Sequence, residues 1–174
     1  NAPDNEVMIR EARKMLERLY EVWKLKQLLM NLDQKAIAQV KSMNTPIQEI
    51  VEVIRAMLLI IGEDPKKLKD WKSLRVNISQ TGKQSLKRRI GAFTMDHVTD
   101  VAQAKCEKIM SKIDFVRVES VSSVVAIFFA FVKGALEVEQ GMDADDETPK
   151  KKESGSSAPL PPLPPPGSPT TATH

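Results

Sequence analysis

Cysteine, histidine, glycine and aromatic residues are all scarce in this 174-residue chain, and each scarcity excludes something. Cys106 is the only cysteine. A lone thiol cannot close a disulfide, so a disulfide scaffold is excluded and a reducing compartment is expected. Cys106 itself reads as a small apolar residue on the inner face of a helix. The two histidines, His97 and His174, are far apart and have no Cys or His neighbour at metal-binding spacing. His97 reads as an exposed residue near a helix start. Only 7 glycines and 5% aromatics are present, while apolar residues make up 41%. Long apolar-periodic segments with few glycine breaks point to an all-helical protein.

Long hydrophobic runs are also missing. The most apolar stretch, Val121–Val132, contains Ser122 and Ser123 and is about half the roughly 20 residues that a membrane helix needs. It reads as a buried core helix, and no membrane partner is expected. The polar, acidic start (Asn1–Glu6) does not resemble a secretory signal. Neither phosphate-binding glycine motif occurs, and no serine sits in a nucleophile elbow. Asp96 and Asp100 are four apart, a spacing that reads as a solvated helix face. The chain is therefore expected to be no enzyme and to carry no cofactor or metal.

What is present is helical periodicity. Glu6–Met43 contains no Gly or Pro and reads as one helix, roughly 57 Å long at helical rise. Met8, Ala12, Met15, Leu19, Val22, Leu29, Ala36, Val40 and Met43 follow heptad spacing, interrupted at Lys26 and Asp33. Tyr20, Trp23, Leu25 and Leu28 widen the apolar stripe. The arm thus reads either as a coiled-coil strand or as a bundle helix with a broad apolar face. Asn44-Thr45-Pro46 then breaks the helix, because proline disfavours helical backbone before it and suits the first turn of a new helix. The next helix is expected over Thr45–Ile61, capped by Thr45 and stopped by Gly62. Asp70 should cap a short helix from Trp71, with Leu74 and Ile78 inward. Ser85–Phe93 reads as a further helix. Thr94 should cap another that continues over Val98–Met110, and Val118–Val138 reads as the last.

Beyond Gly141 the composition changes to acidic, then basic, then Ser, Pro and Thr-rich. Such a segment cannot bury a core and is expected to be disordered. Its run Pro159–Pro166 holds overlapping PxxP spacings that suit a proline-reading domain, although no flanking arginine is present. The expected organisation is a helical arm (1–43), a helical bundle (44–140) and a charged, Pro-rich tail (141–174).

Net charge is only +3, but it is unevenly distributed. Residues 64–89 hold nine basic side chains against Asp64 and Asp70, a local +7. A concentrated basic face attracts polyanions in a salt-dependent way. Nucleic acid, an anionic membrane and an acidic protein surface all fit that description, but no nucleic-acid reading motif accompanies the charge.

The order of short motifs adds a resemblance. Val40-Lys41-Ser42-Met43 precedes Pro46. A helix closing in Leu58-Leu59-Ile60-Ile61-Gly62 follows, then Lys69-Asp70-Trp71-Lys72, Phe93-Thr94-Met95-Asp96-His97-Val98 and Phe131-Val132-Lys133. Over roughly residues 32–139 this resembles the microtubule-binding domain at the stalk tip of dynein heavy chains. The resemblance implies a small helical bundle seated between α- and β-tubulin, with stalk coils whose register controls affinity. Some family positions differ here. The second proline of the usual pair is Ile47, an ordinarily basic position falls on Val51, and an ordinarily acidic one falls on Arg55. A basic position in the last helix falls near Ser123, with Arg117 earlier, and Gly134 replaces a frequent tryptophan.

The expected function is therefore non-catalytic binding to the microtubule lattice. Lys41, Arg55, Lys83, Lys87, Arg88, Arg89 and Arg117 would face α/β-tubulin carboxylates. The return arm after Leu136 is much shorter than the outgoing one. The chain then reads either as part of a dynein motor, whose ATPase would lie elsewhere, or as a stand-alone cytoplasmic, cytoskeletal or ciliary protein whose arm seeks a partner helix. The alternative is a scaffold that keeps the fold and binds other proteins through its arm and tail.

Overall fold

The computed structural model describes the backbone of residues 2–146 and the side chains of residues 4–141. Eight α-helices and three short 3-10 turns account for nearly all of it, and no strand occurs among the described residues. The expected all-helical bundle is observed. The Pro-rich segment and its PxxP spacings lie outside the described residues.

The arm is not one helix. α1 spans Ala2–Met30 and α2 spans Gln34–Ser42. The expected continuous helix over Glu6–Met43 is thus corrected by a break at Asn31–Asp33. Asp33 causes it: its carboxylate accepts from the Lys35 N–H and caps α2. The helix also starts earlier than expected, since Pro3 sits in the first turn of α1, where proline is tolerated.

α3 runs over Gln48–Ile60, three residues later than expected, and Thr45 does not cap it. The cap position falls on Ile47, which makes no side-chain bond to the helix. α3 is buried along nearly its whole length, including Val51. Its end is as expected. Gly62 takes φ of 100° and donates to the Leu59 carbonyl (3.1 Å), while the Glu63 N–H reaches Leu58 (2.9 Å). Only glycine adopts that left-handed backbone without strain.

α4 (Trp71–Ile78) is capped as expected: the Asp70 carboxylate accepts from the Ser73 N–H at 2.8 Å. Leu74 and Ile78 are buried. The Trp71 indole N–H donates to the Met43 carbonyl (2.7 Å) and ties α4 to the end of α2. α5 spans Leu86–Ala92 with Ser85 as its cap. The next helix departs from expectation. Met95–His97 forms only a 3-10 turn, and α6 (Asp100–Met110) is capped by Thr99 rather than Thr94. The expected last helix also divides. α7 (Phe115–Val121) ends at Ser122, whose extended backbone separates it from α8 (Ser123–Asp146).

One apolar core joins these elements. α8 contributes Val125, Phe128, Phe131, Val132 and Val138, and α3 contributes Ile50, Ile54, Met57 and Leu58. Val22, Leu29 and Val40, from the stretch read as an arm, belong to the same core. α1 packs antiparallel along α8. Gly134 faces Val22 and Leu25, and Gly141 faces Met15 and Arg18. Towards its start α1 is uncovered, and Met8 is 69% exposed. Among the described residues, no helix is long and apolar enough to cross a membrane.

Candidate functional site

The basic residues singled out in the sequence fall into two groups. The first group is free. Ile37 and Val40 bury one face of α2, which leaves Lys41 half-buried at the edge of a groove. Gly82, at φ of 64°, turns the loop that carries exposed Lys83. Leu86 and Ile90 anchor α5 in the core. That places Lys87 along the same groove and leaves Arg88 outward and exposed. The groove, about 490 Å³, is lined by Ile37, Lys41, Ile78, Thr81, Gly82 and Lys87 among others. Lys41 and Lys87 are 46 positions apart in sequence, and both line this groove. Neither they nor Lys83 and Arg88 make a side-chain hydrogen bond or ion pair among the described residues.

The second group is tied down. Arg89 is one helical step from Arg88 but points inward. Its Nη1 donates to Glu63 (3.0 Å) and to the Asn77 side-chain oxygen (2.6 Å), and its Nη2 donates to the Asn77 carbonyl (2.8 Å). Burial pulls the guanidinium below its ordinary pKa, and Glu63 opposes that shift. The group therefore clamps α5 to α4 and to the turn after α3. Arg55 donates from Nε to the Leu68 carbonyl (2.8 Å) and from Nη2 to Lys69 (3.2 Å), and it pairs with Glu52. It holds the Pro65–Lys67 turn against α3. Arg117 pairs with Glu49 at 3.1 Å and is 61% exposed, an α7–α3 contact at the surface.

The remaining candidates are structural or solvated. Val51 is a core residue. His97, Asp96 and Asp100 are exposed. Cys106 is buried, donates to the Ala56 carbonyl at 3.3 Å, and has its pKa pushed up to about 12 by burial. Among the described residues, no group of three or more His, Cys, Asp or Glu side chains is arranged to hold a metal.

Sequence reasoning missed a second set of cations. Lys105 and Lys108 on α6, with Lys112 just beyond it, lie outside the most basic segment. The i, i+3 spacing of Lys105 and Lys108 was the available signal, because it puts both on one helical face. A charge count confined to residues 64–89 passes over them.

In comparisons of the whole sequence, the chain matches no family model and no curated protein. The described residues form an all-helical bundle bearing a groove lined by Lys41 and Lys87.

Proposed function

We propose that this chain is a non-catalytic binding module for the microtubule lattice, reading acidic α/β-tubulin surfaces in the manner of a dynein stalk tip. The observation that carries the reading is the convergence of Lys41 and Lys87 on one groove, with exposed Lys83 and Arg88 on the adjoining loop and helix and none of the four paired among the described residues. Unpaired cations on a folded surface have no intramolecular partner to lose on binding. Exposed ion pairs are individually worth about 1 kcal/mol or less, so the four must act together and with salt sensitivity. Arg55, Arg89 and Arg117 act in this reading by holding the domain together. The motif order between Val40 and Lys133 supports the choice of tubulin over other acidic partners. Such a role belongs to the cytoskeleton of the cytoplasm or the cilium.

The test is co-sedimentation with stabilised microtubules at low and physiological salt. The wild-type chain should pellet saturably, less so as salt rises. Lys83→Glu, Lys87→Glu and Arg88→Glu combined should abolish pelleting while helical circular dichroism is retained. Unchanged pelleting of that variant would remove the groove from the function.

A scaffold is the second reading, favoured by one observation. Ile9, Leu16, Tyr20 and Trp23 form an exposed apolar stripe on α1, with Tyr20 and Trp23 stacked at 5.9 Å. A helix from another protein would cover it. Absence of pelleting at low salt, with a tight partner for α1, would favour this reading.

A further inference from the structure

A second cleft lies beside Arg55, between α3, α6 and the Pro65–Lys67 turn. It encloses about 330 Å³. Its accessible apolar surface comes mainly from Pro65 and Ile109, which lie over buried Leu59 and Leu68. Leu59 and Leu68 are buried and Ile109 packs against the core, which fixes the floor of the cleft to the bundle. Four cations stand around it: Arg55, Lys69, Lys105 and Lys108. Among the described residues, no acidic side chain lines it. Arg55 is fixed by the carbonyls of Leu68 and Lys69 and by Glu52. Lys69, Lys105 and Lys108 make no side-chain hydrogen bond or ion pair among the described residues. The cleft shares no residue with the Lys41–Lys87 groove.

We propose that this cleft is a binding site for a short acidic peptide that carries one large apolar side chain between its carboxylates. The apolar surface takes the side chain out of water, and the three free ammonium groups meet the carboxylates on either side. Concave apolar sites with a few convergent charges are the usual form of a specific ligand site. Nucleic acid fits less well, because a phosphate backbone has nothing apolar to place on Pro65 and Ile109. A membrane surface fits less well because the site is concave. The adjoining stretch of the α3–α6 groove shares Lys108 and Ile109 but also carries Glu49 and Glu52. Those carboxylates confine the acidic residues of the peptide to the Lys69–Lys105–Lys108 end. This site is independent of the tubulin reading and stands or falls without it.

The test uses the full chain and fluorescence anisotropy. The probe is a labelled five-residue peptide with one leucine flanked on each side by two glutamates. Two controls replace the leucine by glycine, or the glutamates by glutamine. The leucine–glutamate peptide should bind saturably, and both controls at least tenfold more weakly. Lys105→Glu with Lys108→Glu should weaken the peptide at least tenfold with unchanged circular dichroism, whereas Lys83→Glu with Lys87→Glu should leave it unaltered. Equal binding of the glycine peptide would overturn the proposal, because the site would then read charge alone. Equal loss in both lysine pairs, no saturable binding, or tighter binding of a five-nucleotide single strand would overturn it as well.

Discussion

The Lys26 ammonium donates to the backbone carbonyl of Phe93 across 2.8 Å, joining residues 67 positions apart. Phe93 is the C-cap of α5, where carbonyls lack helical partners and the helix dipole favours a cation. The residue that interrupts the α1 heptad is thus the one that caps a neighbouring helix. Lys26→Met would improve the heptad and keep the packed stem, yet it should lower stability by about 1–2 kcal/mol. Urea denaturation measures this. A change within about 0.5 kcal/mol, the ordinary range for surface substitutions, would show that the bond contributes nothing.

Arg89 and its neighbours should separate by readout. Arg89→Met removes the donor to both Asn77 oxygens and leaves the mostly buried Glu63 with only the looser Lys67 pair at 3.6 Å. A loss of about 3 kcal/mol is expected. Lys87→Glu with Arg88→Glu should change stability by no more than about 0.5 kcal/mol. Thermal melts of the two variants check the contrast. A reversal of all three residues together would confuse lost folding with lost binding, so the binding test leaves Arg89 intact.

The Asp70 cap should show in the acid limb of stability. Its pKa is held below the ordinary 3.8, chiefly by the Ser73 side-chain hydrogen bond and then by the Ser73 backbone N–H. A carboxyl with a lowered folded pKa contributes fully above its unfolded value and loses that contribution as pH falls through the folded one. The stability difference between wild type and Asp70→Asn should therefore be greatest near neutral pH and close below pH 3.8. A difference that stays constant from pH 7 to 2 would show that the charge plays no part in the cap.

Cys106 should resist thiol reagents in the native state. Its pKa of about 12 leaves almost no thiolate at pH 8, and its sulfur is buried beside Ala56. Labelling must then pass through opening of the α3–α6 contact, and should run at least about a thousandfold slower than for an exposed cysteine. Adding urea should accelerate it in step with unfolding. Fast labelling without denaturant would mean that α6 opens readily from α3.

Local signals were legible where one residue decides the backbone. Gly62 ends α3 and Asp70 starts α4 as the sequence indicates, because a left-handed turn and a side-chain cap each depend on a few adjacent atoms. Asp33 is an equally good cap, but Leu29, Ala36 and Val40 keep heptad spacing across it, and that continuity hid the break. Thr94 and Thr99 both suit a cap, and only packing of the following helix selects Thr99. The division at Ser122 was hidden in the same way by the apolar residues on either side.

The candidate site was legible in its composition but not in its geometry. Lys87, Arg88 and Arg89 carry like charge in adjacent positions, and the sequence by itself determined that charge and the short helix bearing it. Successive helical residues point about 100° apart, so the three cannot share one role. Burial of Leu86 and Ile90 sets the rotation of α5. That rotation turns Arg89 onto Glu63 and Asn77, and leaves Lys87 beside Lys41 at the groove. The sequence alone determined an all-helical chain with its cations crowded into one segment. Which cations brace the fold and which stay free was decided only by tertiary packing, because the partners that neutralise a charge are distant in the chain.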